Sequence, residues 1–324
     1  MGADIERVLI TGGCGFIGSN LVRFLAGRTG WKLRALDDLR TGGMEYLHEQ
    51  GPAEVHTGSV AHREAVRRAL AGVDTVVHLA SQTGVQPSVE DPAGDFEGNL
   101  SVTFSMLEAS RAAGVARFVF ASSGAAVGEV NPIHEEVVPK PVSPYGAGKL
   151  AGEAYCGAFA ASFGLHTVAL RFSNVYGPFS PHKRNAVPNF VKRCLTGEPL
   201  VIYGDGSQTR DFVYVEDLCD AIHRALTTEG IAGEVFQVAT GKETSVADLA
   251  ALVKEVTGSA SEIRFEPKRS GEVYKSRADI SKARRVLGFD PKVELPEGIA
   301  RTAGWYRERW LPTAGASASA ESPA

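Results

Sequence analysis

Short apolar runs alternate with longer amphipathic segments over the first half of the chain, and that alternation predicts its elements. Residues 7–11 (RVLIT) read as a buried strand, followed by a helix whose apolar face is Leu21, Phe24 and Leu25. Residues 32–36, 54–57, 75–79, 116–121 and 166–172 repeat the apolar, β-branched signature of strands. Between them, residues 62–71, 97–113 and 145–163 carry helical spacing. Strands of this kind separated by helices predict a parallel sheet covered on both faces. Beyond residue 172 the rhythm weakens: 186–196 and 216–226 read as helices, 204–207 as a turn and 212–214 as a short strand. The division predicted is an α/β domain over 1–172, to which some later segments return, and a smaller, irregular α+β lobe over 173–311. The Ala/Ser/Pro-rich residues 312–324 predict a disordered tail.

Composition narrows the class without naming it. The 324 residues are 44% hydrophobic and 22% charged, ordinary usage for a chain with a substantial core. A net charge of -4 gives no basic field to recruit nucleic acid. The four cysteines (Cys14, Cys156, Cys194 and Cys219) are scattered, with no C-x-x-C pair and no metal-ligand spacing, so no metal is expected. Reduced thiols, the absence of a leader-like start and of any apolar run near ~20 residues predict a cytoplasmic protein without a membrane partner.

Three stretches carry candidate chemistry. The first strand runs into Gly12-Gly13-Cys14-Gly15-Phe16-Ile17-Gly18 and then a helix. Strand, glycine loop and helix bring backbone N–H groups and a helix N-terminus to a pyrophosphate. The second strand ends in Asp37-Asp38, where a carboxylate bonds an adenosine ribose and repels a 2′-phosphate. NAD is therefore expected rather than NADP, although Arg40 lies close by. Together these features predict a Rossmann-type doubly wound sheet. The aperiodic stretch 80–95 follows the fourth strand's carboxyl end, so it, with Leu79 and Ala80 at its start, is expected to border the cofactor. His78, inside that strand, reads as a core or backbone-bonded histidine.

The third stretch is Ser143-Pro144-Tyr145-Gly146-Ala147-Gly148-Lys149, with Ser122-Ser123 upstream. Pro144 suits a helix's first turn, and Tyr145 and Lys149 then leave one helical face. A lysine cation beside a tyrosine lowers a phenol pKa that is ordinarily about 10, which would make a base usable near neutrality. A serine hydroxyl could bond the same substrate oxygen as it turns from alcohol to ketone. Tyr and Lys at this spacing also occur on many ordinary helices, so the pair gains meaning only from its company.

Taken together, the glycine loop, Asp37, the serine pair and Tyr145/Lys149 resemble the extended short-chain dehydrogenase/reductase family, within it the nucleotide-sugar epimerases and dehydratases. The later segments Leu170–Pro178 (LRFSNVYGP) and Gly204–Val215 (GDGSQTRDFVYV) extend that resemblance almost to the end of the chain. It implies Tyr145 as acid/base, Lys149 on the nicotinamide ribose, and Ser122 or Ser123 on the reacting oxygen. It also implies Gly12, Gly15, Phe16, Ile17 and Gly18 at the NAD pyrophosphate, Asp37 and Asp38 at its ribose, and Asn99 beside the cofactor. Asn174 and Asn189 would contact a sugar nucleotide, with Arg210 and Arg269 on its diphosphate; by residue type alone these arginines read as surface charges.

Two departures stand out: Ala125-Ala126-Val127-Gly128 is one residue short of the family's pattern, and Ser59 stands where relatives carry an acid for the adenine. No carboxylate follows Ser123, where the family's dehydratases and decarboxylases carry one, so oxidation and re-reduction at a single carbon is the implied chemistry. The resemblance implies C4 epimerisation of a UDP-hexose, either glucose/galactose or glucuronate/galacturonate. The second pair is motivated by the cations His182-Lys183-Arg184 and Lys192-Arg193, of which Arg193 is the choice for a C6 carboxylate; solvated surface charges are the plain alternative. A homodimer is implied, formed by helices 97–113 and 145–163 with Tyr155 and Phe159 as contacts. Another nucleotide-sugar dehydratase or decarboxylase of the same family, an oxidoreductase releasing NADH and a non-catalytic dinucleotide sensor stay as alternatives.

Overall fold

The computed structural model describes residues 5–48, 53–183, 185–268 and 274–313. Arg184, Arg269 and most of the expected disordered tail lie outside the described residues. The chain alternates β1 (Arg7–Thr11), α1 (Phe16–Ala26), β2 (Lys32–Asp37), α2 (Glu45–His48), β3 (Ala53–Thr57), α3 (Arg63–Leu70) and β4 (Thr75–His78). It continues through α4 (Val85–Glu90), α5 (Pro92–Asp95), a π-helical turn Phe96–Ser101, α6 (Val102–Ala112), β5 (Arg117–Ser123), α7 (Pro144–Phe163) and β6 (His166–Phe172). Then come β7 (Asn174–Tyr176), α8 (Ala186–Thr196), β8 (Leu200–Tyr203), β9 (Thr209–Arg210), β10 (Phe212–Tyr214), α9 (Val215–Thr227) and β11 (Glu234–Val238). The last elements are β12 (Thr244–Ser245), α10 (Val246–Thr257), β13 (Ile263–Glu266), α11 (Ser281–Leu287) and α12 (Leu295–Trp305).

Seven of these strands form one parallel sheet in the order β11-β6-β5-β4-β1-β2-β3. Strand periodicity explains how it is covered, because successive side chains point to opposite faces. Val8, Ile10, Val77, Val119 and Val168 join a core with Leu21, Leu25, Leu218 and Ile222 from α1 and α9. Their neighbours Leu9, Val76, Phe118, Phe120 and Ala169 join a second core with Val66, Met106, Leu107 and Phe159 from α3, α6 and α7. The polarity switch of the strand order lies between β1 and β4, so ligands are expected beyond the carboxyl ends of these strands.

Beyond β6 lie three strand pairs, β7–β10, β8–β13 and antiparallel β9–β12, with α8, α10 and α12 packed together. β11 leaves this region and pairs with β6, closing the sheet's edge. The expected open stretch 80–95 contains α4 and α5. Asp91 accepts the Gly94 N–H at 2.9 Å to start α5, with Pro92 in its first turn. Half-exposed short helices lack the apolar periodicity that would reveal them.

Candidate active site

The glycine loop has the shape a phosphate group needs. Gly12 has φ +69°, and a Cβ on it would lie 2.9 Å from the Ala80 backbone nitrogen. A Cβ on Gly18 would lie 2.2 Å from the Gly12 carbonyl oxygen. Gly15 caps α1 and offers no side chain to its first N–H groups, which leaves Phe16 and Ile17 to present theirs to an anion. Asp37 braces the loop, accepting the N–H of Cys14 at 2.9 Å and of Leu39 at 2.8 Å. Burial raises its pKa against these stabilising bonds. Arg40 is turned to Asp38, its Nε 2.7 Å from the carboxylate. The residues therefore fit the adenosine diphosphate half of an unphosphorylated dinucleotide. Ser59, where an adenine-binding acid was missed, accepts the Ala61 N–H at 3.2 Å.

Beyond β4 the chain is held by a buried polar ladder. Thr11 bonds His78 Nδ1 at 2.8 Å and accepts the Ala80 N–H at 3.2 Å; His78 Nε2 meets Thr103 at 3.3 Å. Burial, reinforced by the Lys149 charge, drops the His78 pKa to about 3, so it is a neutral core histidine bonded to hydroxyls rather than backbone. Asn99 spends its whole amide inside the protein. Its Oδ1 accepts from Ser81 Oγ and Gln82 N, and its Nδ2 donates to Gln82 O and Asp95. The expected direct cofactor contact gives way to a clamp on the loop that follows Leu79 and Ala80.

The serine pair separates by the alternation of β5. Ser122, 3% exposed, donates to Glu153, whose carboxylate takes two bonds from Arg171 at 2.8 and 2.7 Å. It is a structural residue, and the expectation of a catalytic Ser122 is corrected. Ser123 points the other way, towards Tyr145, whose phenol pKa it acts to lower, and its Oγ accepts the Ala125 N–H at 3.2 Å. Ser143 caps α7 by accepting the Gly146 N–H at 3.1 Å, with Pro144 in the first turn.

Lys149 is held by the sheet rather than by Tyr145. Its Nζ donates to the Ala121 carbonyl at 2.9 Å and stands 5.6 Å from the centre of the Tyr145 ring. Burial raises the Tyr145 pKa to about 12, with the Asp95 charge adding to it and the Ser123 bond opposing it. Burial likewise lowers Lys149 to about 8, with Asp95 and Glu153 opposing. In the protein alone, desolvation outweighs the expected acidification of the tyrosine. Asp95, at the end of the stretch expected to border the cofactor, is 5% exposed and lines a cavity of about 280 Å³ with Gln82, Thr83 and Ser88. Its i,i+4 relation to Asn99 was the available signal.

The lobe contributes unevenly. Asn174 donates to the Asp211 carbonyl at 3.2 Å, and Asn189 accepts from Arg193 at 3.1 Å. Arg210 donates to the Thr209 carbonyl at 2.8 Å. Arg193 also caps the Pro199 carbonyl at 2.7 Å, in the last turn of α8. Choosing it for a sugar carboxylate is corrected, because its guanidinium ties off its own helix. Lys183, in the loop between β7 and α8, donates from Nζ to Thr83 on the loop following β4 at 3.0 Å. Its charge further depresses the Lys149 pKa.

Comparison with known proteins agrees with this arrangement. The profile of the NAD dependent epimerase/dehydratase family matches residues 8–239. The chain is 39% identical over 315 residues to a UDP-glucose 4-epimerase of Mycolicibacterium smegmatis, covering 94% of this chain and 99% of that one. It superposes with a TM-score of 0.89 and 39% identity on the UDP-glucose 4-epimerase of Thermotoga maritima solved with UDP-glucose, covering 94% and 100%. MoeE5, solved with UDP-glucuronic acid and NAD, matches with a TM-score of 0.85 and 34% identity over 94% and 99%.

Proposed function

The chain belongs to the NAD-dependent epimerase/dehydratase family, and from that premise we propose that it is a UDP-sugar 4-epimerase. The observation that carries the reading is the turn after β5, where Ser123 faces Tyr145 and Gly124 and Ala125 bring no carboxylate. An elimination or decarboxylation has no acid on that turn, whereas oxidation and re-reduction at one carbon need none. NAD, the family's cofactor, would supply the hydride acceptor and donor, and when bound its oxidised ring would add a positive charge that favours a phenolate.

Tyr145 takes the proton of the C4 hydroxyl and gives it back after the 4-keto sugar has turned over. Ser123 bonds the same oxygen in both states. Lys149, fixed by the Ala121 carbonyl, supplies a cation beside the phenol. Asn174, Asn189 and Arg210 line the lobe side for the sugar nucleotide, and the sugar is glucose/galactose or glucuronate/galacturonate. Four buried free thiols support a cytoplasmic setting. A homodimer through α6 and α7 is proposed on their exposed aromatic side chains. The test is incubation of the NAD-loaded protein with UDP-glucose or UDP-glucuronate, without added NADH, followed by proton NMR. A C4 epimer of either supports the reading; no epimer from either, with NAD bound, sinks it.

A further inference from the structure

Lys149 is buried, and among the described residues its ammonium bonds one neutral carbonyl, that of Ala121, with no carboxylate at ion-pair distance. A charge withdrawn from water in this way is costly unless an opposite charge stands near. Two carboxylates act on it. Glu153, one turn further along α7, has both oxygens bonded by Arg171 and also takes the Ser122 hydroxyl, so its charge is already matched. Asp95, at the end of α5, bonds only the neutral amide of Asn99 by its side chain. Its charge is the one left over.

Three features deliver that charge to the acid/base helix. α5 and the π turn that follows it pack on α7. Asn99 donates its Nδ2 to Asp95 Oδ1 at 2.7 Å, which fixes the rotation of the carboxylate. The other oxygen, Oδ2, lies against Gly148, 3.8 Å from the point that a Cβ there would occupy. Gly148 directly precedes Lys149 and follows Tyr145 by three residues, so Oδ2 meets the helix face from which both side chains leave. The structure assigns Asp95 as the positioning residue that supplies a shared negative charge to Tyr145 and Lys149, holding the ammonium charged and restraining loss of the phenol proton. It rests on the 4-epimerase reading above and adds to it a residue that acts through the acid/base pair.

The charges around the pair agree with this placement. Burial lowers Lys149 and raises Tyr145, and the Asp95 charge raises both. Glu153 also raises Lys149, Lys183 lowers it, and His78 beside it is neutral. Burial raises Asp95 itself, the Asn99 bond and the Lys149 charge oppose, and Asp91 adds to the rise. Glu90 and Asp91 share its cavity. Removing a negative charge lowers the pKa of every group it faces. Asp95→Asn must therefore move both limbs of a bell-shaped profile towards lower pH, whichever group each limb reports. The new amide keeps an oxygen for Asn99, so the brace on the loop survives.

The experiment is the pH profile of kcat/KM for the NAD-loaded wild type, Asp95→Asn and Asp95→Glu, on whichever of UDP-glucose and UDP-glucuronate the wild type epimerises. Both limbs should fall by about one pH unit in Asp95→Asn and stay near their wild-type positions in Asp95→Glu, which keeps the charge. Limbs that stay put in Asp95→Asn, with or without a loss of rate, make Asp95 a brace for the loop and overturn the inference. An equal shift in Asp95→Glu overturns it too. A second readout needs no substrate. In the cofactor-free protein at pH 7, Lys149→Met should raise the melting temperature more in the Asp95→Asn background than in the wild type, because the buried ammonium has lost its counter-charge. An equal rise in both backgrounds overturns the inference while the 4-epimerase reading stands. A larger rise with no epimer from either sugar sinks that reading and leaves the counter-charge in place.

Discussion

The cost of burying Lys149 sets a pH signature for this site. Its pKa is lowered to about 8 in the folded protein, chiefly by burial, against about 10.5 in an unfolded chain. Below pH 8 both states hold the proton and the fold bears the cost of a buried ammonium. Between 8 and 10.5 the unfolded chain binds more protons, so this group makes stability rise with pH, by at most about 1.4 kcal/mol per unit. Lys149→Met removes the titration. The cofactor-free wild type should therefore melt below the methionine variant at pH 7, and the gap should narrow as pH approaches 10. A gap that stays constant would show that Lys149 keeps an ordinary pKa. The same residue shows what a sequence can and cannot carry. The Tyr145–Lys149 spacing was visible because helix geometry is periodic. The direction of their pKa shifts was not, because desolvation depends on β5 and α5 closing over them. Ser122 and Ser123 are chemically identical in the sequence, and only the strand's alternation sends one to Glu153 and the other to Tyr145.

At the level of elements, α7 is tied to the sheet by a buried ion pair rather than by packing alone. Glu153 and Arg171 are each 4% exposed by side chain and join α7 to β6, with Ser122 of β5 as a third member. Such a pair adds little over an apolar substitute, but removing one partner strands the other charge. Glu153→Ala should cost about 3–5 kcal/mol, read as a lower denaturant midpoint with an unchanged slope. The double variant Glu153→Met/Arg171→Met should recover most of that loss. If the double variant is no better than the single, the pair is a net stabiliser and the argument fails. Strands were the most legible elements: β6 and β10 begin and end where the apolar runs do, because their side chains are buried on both faces. The helix expected over 97–113 opens instead with a π turn, Phe96–Ser101, that contains Asn99. Widened turns of this kind gather at functional sites, and no apolar spacing announces them.

At the scale of the whole molecule, the two lobes interpenetrate. β11, past the lobe's first elements, completes the sheet, and one core cluster runs from Val8 of β1 to Tyr306 after α12. The rhythm of the sequence changes after residue 172, but the pairing of residues 234–238 with β6 depends on the fold, and no local pattern encodes it. The outer surface of α6 and α7 raises the last question. Phe104, Tyr155 and Phe163 are 40%, 40% and 55% exposed; Tyr155 packs on Phe104, and Phe104 and Phe163 both pack on Phe159, which is itself buried at 4% and so is core rather than a contact. Two adjacent helices sharing one exposed aromatic ridge suit a two-fold partner, since an isologous contact needs a single self-complementary patch. The wild type should therefore scatter light as a dimer. Phe104→Glu and Tyr155→Glu, which place a carboxylate in that patch, should halve the mass while leaving the circular dichroism spectrum unchanged. A monomeric wild type, or variants that stay dimeric, would assign the ridge to something other than assembly. The dimer would also bear on catalysis, because Tyr145 and Lys149 stand on the first two turns of α7, whose later turns carry Tyr155 and Phe163. Pairing would then hold the far end of the helix that positions the acid/base.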